Sequence, residues 1–277
     1  MNIACVIVTY NRVDCLKKNI TCLKEQTQKV DKIFIIDNAS NDGTDEYMTT
    51  TFSEDNQIEY IRMSENTGGS GGFSYGVKKA YEAGADCIWG MDDDAFPHAD
   101  ALEKLIEVHS EIGDKGALWS NCEGTCKERY EEVSSWMFVG FFITKEMIKN
   151  VGIPRNDYFI YWDDHEYARR LKKGGYSIYK VRDSVIEHRD ANKIYYPSIN
   201  IGIKSIKMYK MADWKVYYYV RNKILTYRWN DINKYEAILD GFKTYIKCYI
   251  FKTNQAKIVM RALKDGIMLR TGKRMVP

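Results

Sequence analysis

Three adjacent carboxylates, Asp92, Asp93 and Asp94, follow directly on the apolar run Cys87-Ile88-Trp89-Gly90-Met91. Like charges packed at the end of a buried strand repel one another unless a cation offsets them. Carboxylate oxygens suit hard ions such as Mg²⁺ or Mn²⁺, which bridge protein acids to nucleotide phosphates. A solvated acidic loop is the bland alternative, and the strand end argues against it. A second acidic group lies in Tyr161-Trp162-Asp163-Asp164-His165-Glu166. Trp162 offers a flat apolar face of the kind sugars stack on, and Asp163, Asp164 and Glu166 sit at a helix start, where the dipole favours negative charge. Capping accounts for one acid there, not for three beside a tryptophan. His188 closes a further apolar run, Ser184-Val185-Ile186-Glu187, either as a buried structural group or as a metal ligand.

A different chemistry is suggested by Asn66-Thr67-Gly68-Gly69-Ser70-Gly71-Gly72-Phe73, with four glycines in five residues. Glycine lets a backbone approach a ligand closely, and a following helix N-terminus favours an anion. No Gly-Lys-Ser/Thr follows, so this is not a Walker loop. It comes after a third strand and not the first, so it is not a dinucleotide fingerprint either. A flexible surface turn remains open.

The elements that must position these groups alternate. Residues 3–8 and 32–36 are β-branched runs separated by a helical pattern through Leu16, Ile20 and Leu23. Ile58–Ile61 repeats the strand, the glycine cluster leads into a helix around Val77 to Ala83, and 87–91 is the next strand. Such alternation predicts an α/β unit with a parallel sheet, whose ligand crevice lies beyond the carboxyl ends of the strands. Thr9–Arg12, Asp37–Ser40 and Asp92–Asp94 should converge there. Farther on, a helix through Leu102, Leu105, Ile106 and His109, an apolar strand over 136–144 and a last core strand over 184–188 are expected. After about residue 205 the pattern turns helical, with Tyr235, Ile238, Leu239, Phe242, Tyr245, Ile246, Tyr249 and Ile250 at 3.6-residue spacing.

Composition agrees with a folded chain of a main domain plus an appendage: 277 residues, 45% apolar and 29% charged, with only 4 prolines and 19 glycines, exclude long disordered linkers. The net charge of +3 hides an asymmetry. Residues 191–277 hold 18 Lys and Arg against 5 Asp and Glu, which leaves residues 1–190 acidic. A basic segment attracts phosphates or anionic lipid, and also serves as a solubilising helical face. Seven cysteines, with only Cys122 and Cys126 close in sequence, form no zinc pattern. The N-terminus reads as a buried first strand and not a signal peptide, and no apolar stretch approaches the ~18 residues of a membrane span. A cytoplasmic protein with peripheral contact at the inner face of the cell membrane is expected.

The order Val6-Ile7-Val8-Thr9-Tyr10-Asn11-Arg12, Asp37-Asn38-Ala39-Ser40, Asn66 with its glycines, Asp92-Asp93-Asp94, Trp162-Asp163-Asp164-His165-Glu166 and His188 resembles glycosyltransferase family 2 over about residues 1–190. Within that family the glycine loop, the triple aspartate and the Trp-Asp-Asp-x-Glu pattern are most similar to bacterial galactofuranosyltransferases, with rhamnosyltransferases as near relatives. The resemblance implies a GT-A fold, a Rossmann-like nucleotide-binding sheet with flanking helices, over 1–204, followed by a basic amphipathic helical region over 205–277. It implies that Thr9, Tyr10, Arg12, Asp37, Asn38, Asn66, Gly69, Gly72, Asp92 and Asp93 bind the donor and that Asp92, Asp94 and His188 hold Mn²⁺ or Mg²⁺. Asp164 matches the general base, and Trp136, Trp162, Asp163 and Glu166 the acceptor side. Trp136 is flanked by Ser135 and Met137 where the family has a second aromatic residue.

The implied reaction is transfer from UDP-galactofuranose to a hydroxyl of a glycan or lipid-linked oligosaccharide, by a single displacement with inversion, because one base and no serine or cysteine nucleophile are apparent. The alternatives left open are a rhamnosyltransferase using dTDP-rhamnose, a nucleotidyltransferase and a non-catalytic glycan-binding protein. Expected partners are the nucleotide sugar, the glycan acceptor and an anionic membrane surface, with the C-terminal apolar stripe also suited to a second subunit; no nucleic acid is expected.

Overall fold

A computed structural model describes residues 1–188, 194–201 and 204–276. The chain forms two compact units: Met1–Asn156 with Asp164–Arg189, and Asp157–Asp163 with Asp190–Pro277.

The first unit opens with β1 (Ile3–Thr9), α1 (Val13–Lys24), β2 (Lys32–Asp37), α2 (Thr44–Thr51), β3 (Ile58–Arg62), α3 (Gly68–Glu82) and β4 (Cys87–Asp92). It continues with β5 (Ala95–Pro97), α4 (Ala101–Ile112), β6 (Gly116–Asn121), β7 (Tyr130–Glu132), β8 (Phe141–Thr144), α5 (Lys145–Val151), α6 (Asp163–Lys173) and β9 (Ser177–His188). The sheet is mixed, because β8 runs antiparallel to both β4 and β6 and interrupts the parallel pairing that resumes between β6 and β9. β3, β2, β1 and β4 run in that order as parallel neighbours, and β8 then joins β4 antiparallel. Gly90 leaves room for the Phe141 ring across this pair, where a Cβ would collide with it.

Two further expectations shift. The run 136–144 is a strand only from Phe141, since Gly140 has φ 77° and turns the chain before it. The glycine cluster is not a loop before a helix but the first turn of α3. Asn38 Oδ1 accepts from Thr67 N and Oγ1, and Asn66 Oδ1 accepts from Gly68 N, which satisfies the helix entry. A Cβ at Gly72 would stand 2.5 Å from Val8 Cγ1, so this glycine sets the close approach of α3 to β1.

Parallel register carries the strand ends to one edge. Thr9 pairs with Asp37, Val8 with Asp92 and Asp37 with Arg62. Neighbouring strands lie ~4.8 Å apart, so these polar ends share one crevice.

The second unit contains β10 (Ile199–Ile201), β11 (Lys204–Ile206), α7 (Asp213–Trp229), α8 (Lys234–Ile250) and α9 (Ala256–Ile267). Its core joins Tyr217, Tyr218 and Ile224 of α7, Ala237 and Cys248 of α8, and Val259 and Leu263 of α9. α8 buries its small residues. A Cβ at Gly241 would meet Leu263 Cδ2 at 2.5 Å. The large side chains Tyr235, Leu239, Phe242, Ile246 and Tyr249 are left exposed. Close helix packing on small residues thus turns most of the sequence's apolar stripe outward, where it is available to something outside this unit.

Candidate active site

At the end of β1, the Thr9 hydroxyl donates to Asp93 Oδ2 at 2.7 Å, while Tyr10 is exposed. Arg12 Nη1 donates to Asp93 Oδ1 at 3.1 Å and Asp94 Oδ2 at 2.5 Å. The aspartates therefore meet a cation of the chain's own, and it is half-exposed. At the end of β2, Asp37 is fully buried; its Oδ1 accepts from Ser40 N and Oγ, and its Oδ2 from Tyr60 Oη at 2.7 Å. Asn38 donates to Gly68 O at 3.2 Å, tying β2 to the start of α3. A Cβ at Gly69, unlike one at Gly72, would meet nothing within 4 Å, so that helix turn faces open space.

β5 explains how His188 joins residues so far away in the sequence. It begins one residue after Asp94 and pairs antiparallel with β9, placing Ala95 opposite His188. His188 Nε2 then stands 3.3 Å from Asp94 Oδ1. One ligand atom from each of Asp92, Asp94 and His188 lies within 4.8 Å of the others. Burial first, then the charges of Asp94 and Asp93, pushes the Asp92 carboxyl up to about 8. Asp93 is pushed up to about 6, chiefly by burial, against the pull of Arg12 and Thr9. Burial also works on Asp94, but His188 and Arg12 outweigh it and hold this carboxyl below the usual range. A divalent cation would relieve the crowding, and two carboxylates with an imidazole suit Mn²⁺ or Mg²⁺.

Asp164 follows the first residue of α6. Its Oδ1 accepts from His165 N at 2.7 Å, and burial raises its carboxyl above the ordinary aspartate range, with His165 opposing. A base that must gain a proton in the reaction benefits from such a rise. Trp136 is 1% exposed; its Nε1 donates to Asp164 O at 3.2 Å and its ring stacks on Tyr167. It therefore sits beneath the backbone of the base and not at the surface. Glu166 is buried and receives Arg170 Nε at 2.8 and 3.0 Å, while Arg170 also donates to the carbonyls of Val151 and Ile153. Trp162 and Asp163 belong to the second unit. There the Trp162 ring contacts Tyr219, Tyr227 and Lys223.

The sequence reading missed the partners of Asp37. Tyr60 holds its carboxylate, burial and then the Asp37 charge keeping the phenol protonated, and Arg62 donates to Ser40 O at 2.8 Å. The signal was present: both lie on the strand that neighbours β2, at and just before the edge to which the polar strand ends converge.

Residues 4–173 match glycosyl transferase family 2. The chain is 25% identical over 204 residues to a galactofuranosyltransferase of Mycolicibacterium smegmatis, covering 62% of this chain and 66% of that protein. That match spans just under two thirds of the relative's length. A dTDP-rhamnosyl transferase of Shigella flexneri is 25% identical over 255 residues, covering 83% of this chain and 81% of that protein. Among solved structures, a mannosyltransferase of Pyrobaculum calidifontis in complex with GDP-Man and Mn²⁺ aligns with TM-score 0.61 at 13% identity, over 97% of this chain and 88% of that one. S. aureus TarS in complex with UDP-GlcNAc aligns with TM-score 0.58 at 13% identity, over 86% and 70%. At such identities the likeness establishes the fold alone, and that fold is GT-A.

Proposed function

Because the chain belongs to glycosyl transferase family 2, we propose that it is an inverting, metal-dependent galactofuranosyltransferase that carries galactofuranose from UDP-galactofuranose to a hydroxyl of a lipid-linked glycan. The observation that supports this most is the convergence of Asp92, Asp94 and His188 beside the strand ends that carry Thr9 and Asp37. Thr9, Tyr10, Arg12, Asp37, Asn38, Asn66 and the α3 entry with Gly69 and Gly72 bind the nucleotide sugar. Asp92, Asp94 and His188 hold Mn²⁺ or Mg²⁺, which when bound neutralises charge on the leaving diphosphate. Asp164 takes the proton of the acceptor hydroxyl as its oxygen bonds to the anomeric carbon. The bond from that carbon to the diphosphate oxygen breaks, and UDP departs with the electron pair. Trp162, Asp163 and Glu166 serve the acceptor side, with Trp136 beneath the base.

The galactofuranose assignment rests on the glycine run, the triple aspartate and relatives at 25–26% identity. A second reading, transfer of rhamnose from dTDP-rhamnose, is supported by a relative aligned over 83% of the chain. Incubation with UDP-galactofuranose, UDP-galactopyranose, UDP-GlcNAc and dTDP-rhamnose, with mass spectrometry of lipid-linked products, decides between them. Product from UDP-galactofuranose at ten or more times the rate of the others is expected. Product from dTDP-rhamnose with none from UDP-galactofuranose rejects the assignment.

The second unit suits an anionic membrane. No helix among the described residues is long and apolar enough to cross one. The exposed stripe of α8 is flanked by Lys243 and Lys247, and the exposed side of α9 carries Lys257, Arg261 and Lys264 beside Met260 and Ile267. Apolar side chains bordered by cations are the pattern of an interfacial surface. Val259, Ala262 and Leu263 are core residues, so deleting residues 252–277 would damage the unit itself. Phe242→Glu with Ile246→Glu is the cleaner change. Wild-type protein should co-sediment with phosphatidylglycerol vesicles and release as salt rises, and the double variant should bind at least tenfold more weakly. Unchanged binding by the variant, or dimerisation through α8 without vesicle binding, rejects the membrane role.

A further inference from the structure

Residues 157–163 lead directly into Asp164, yet they belong to the unit built from α7, α8 and α9. Their backbone is strained. Phe159 has φ 69°, Tyr161 φ 64° and Trp162 φ 70°, and none is glycine. L-residues with large side chains avoid this left-handed region and hold it only where the surroundings over-determine it.

The surroundings here are two consecutive residues of α7, Arg221 and Asn222, both 0% exposed. Asn222 Nδ2 donates to the carbonyls of Tyr158 at 3.0 Å, Ile160 at 2.8 Å and Tyr161 at 2.9 Å. One amide group thus gathers three carbonyls that an extended chain would point in alternate directions. Arg221 orients that amide by donating from Nε to Asn222 Oδ1 at 2.7 Å, and its Nη2 reaches Tyr158 O at 2.9 Å. The start of the segment is pinned by Gly272 N to Asp157 O at 2.7 Å, and Tyr158 Oη meets Thr226 Oγ1 at 2.9 Å. α7 lies beyond the residues that match the family, 4–173.

We propose that Asn222, backed by Arg221, is a positioning residue for glycosyl transfer. By holding the peptide planes of Tyr158–Tyr161 in this strained turn it sets the backbone direction at which the chain delivers Trp162, Asp163 and Asp164. Packing α7 to its own unit needs apolar contacts, which Tyr217, Val220 and Ile224 supply. A fully buried amide aimed at three carbonyls is not needed for that, and it is costly unless all its bonds are made. The inference rests on Asp164 as the base.

A double-mutant cycle in the full-length protein tests it. Asn222→Ala should lower kcat about 10–100-fold, with donor KM and UDP affinity in Mn²⁺ within twofold of wild type. In the Asp164→Asn background the same change should cost less than twofold, because misplacing an absent base has no further effect. Asn222→Ser, which keeps one donor, should show the same signature with a smaller loss, and it replaces the alanine variant in the cycle if alanine prevents folding. Additive losses, equal losses in kcat and donor affinity, or an unchanged kcat overturn the proposal. Failure of the base assignment would look different, as full turnover in Asp164→Asn alone.

Discussion

Asp164→Asn should lower kcat by about 10²–10⁴-fold, the usual contribution of a positioned base, while leaving donor and UDP affinity within twofold of wild type. An amide matches the carboxylate in shape but cannot take the proton of the acceptor hydroxyl. The acceptor of the His165 N–H bond survives in the amide oxygen, so the entry to α6 should keep its conformation. A pH profile adds a second readout. The base works only when ionised, so kcat falls as pH drops through its pKa. Burial raises the Asp164 carboxyl above the ordinary aspartate range, and the acid limb should sit correspondingly higher and disappear in the variant. Turnover that persists in Asp164→Asn at saturating substrates moves the base to Asp163 or Glu166. Of these, Glu166 is already engaged by Arg170.

Asp94→Ala should reduce transfer to about 10⁻³ of wild type or below, since charge neutralisation on a leaving diphosphate is worth several kcal/mol. It should also abolish the part of UDP affinity that depends on Mn²⁺ or Mg²⁺. Metal-independent UDP binding, carried by Thr9, Asp37 and their neighbours, should remain, and calorimetry with and without Mn²⁺ separates the two. The fold should survive. Arg12 keeps its bond to Asp93, and the β5–β9 ladder that brings His188 into place uses backbone groups. Near-wild-type turnover of the variant in either metal excludes the Asp92, Asp94 and His188 assignment. Chelation should silence the wild-type enzyme to the same degree, with Mn²⁺ or Mg²⁺ restoring it.

Legibility differed between the two units for a physical reason. The apolar runs at residues 3–8, 32–36, 58–61 and 87–91 located four strands, because runs this short bounded by polar residues fit buried strands, and β1, β2 and β4 are buried nearly throughout while β3 lies half-buried at the sheet edge. The crossover rule then puts Thr9, Asp37 and Asp92 on one edge, and the register agrees. In α8 the same kind of reading located the helix but not the side on which it packs. Most of the large residues at helical spacing face outward, and the helix packs instead through Ala237, Gly241 and Cys248. A pattern of large apolar side chains identifies a face that avoids water, but not the surface that covers it.

Local residue order by itself determined the strand ends, their carboxylates and the acidic start of α6, since each is a property of a few neighbouring residues. What stands opposite them was decided only by tertiary structure. Closure of β5 on β9 brings His188 to Asp94, and Tyr60 reaches Asp37 from the adjoining strand. Trp136, matched to the acceptor side by resemblance, is buried against Tyr167 with its indole N–H on the Asp164 carbonyl, a placement that residues 28 and 31 positions later decide. The left-handed turn before Asp164 has no sequence signature at all. Phe159, Tyr161 and Trp162 have no intrinsic preference for positive φ, and they adopt it because Arg221 and Asn222, some sixty positions later, bind the carbonyls that result. Conformations that oppose local preference are paid for by distant contacts, so no local reading of the chain contains them.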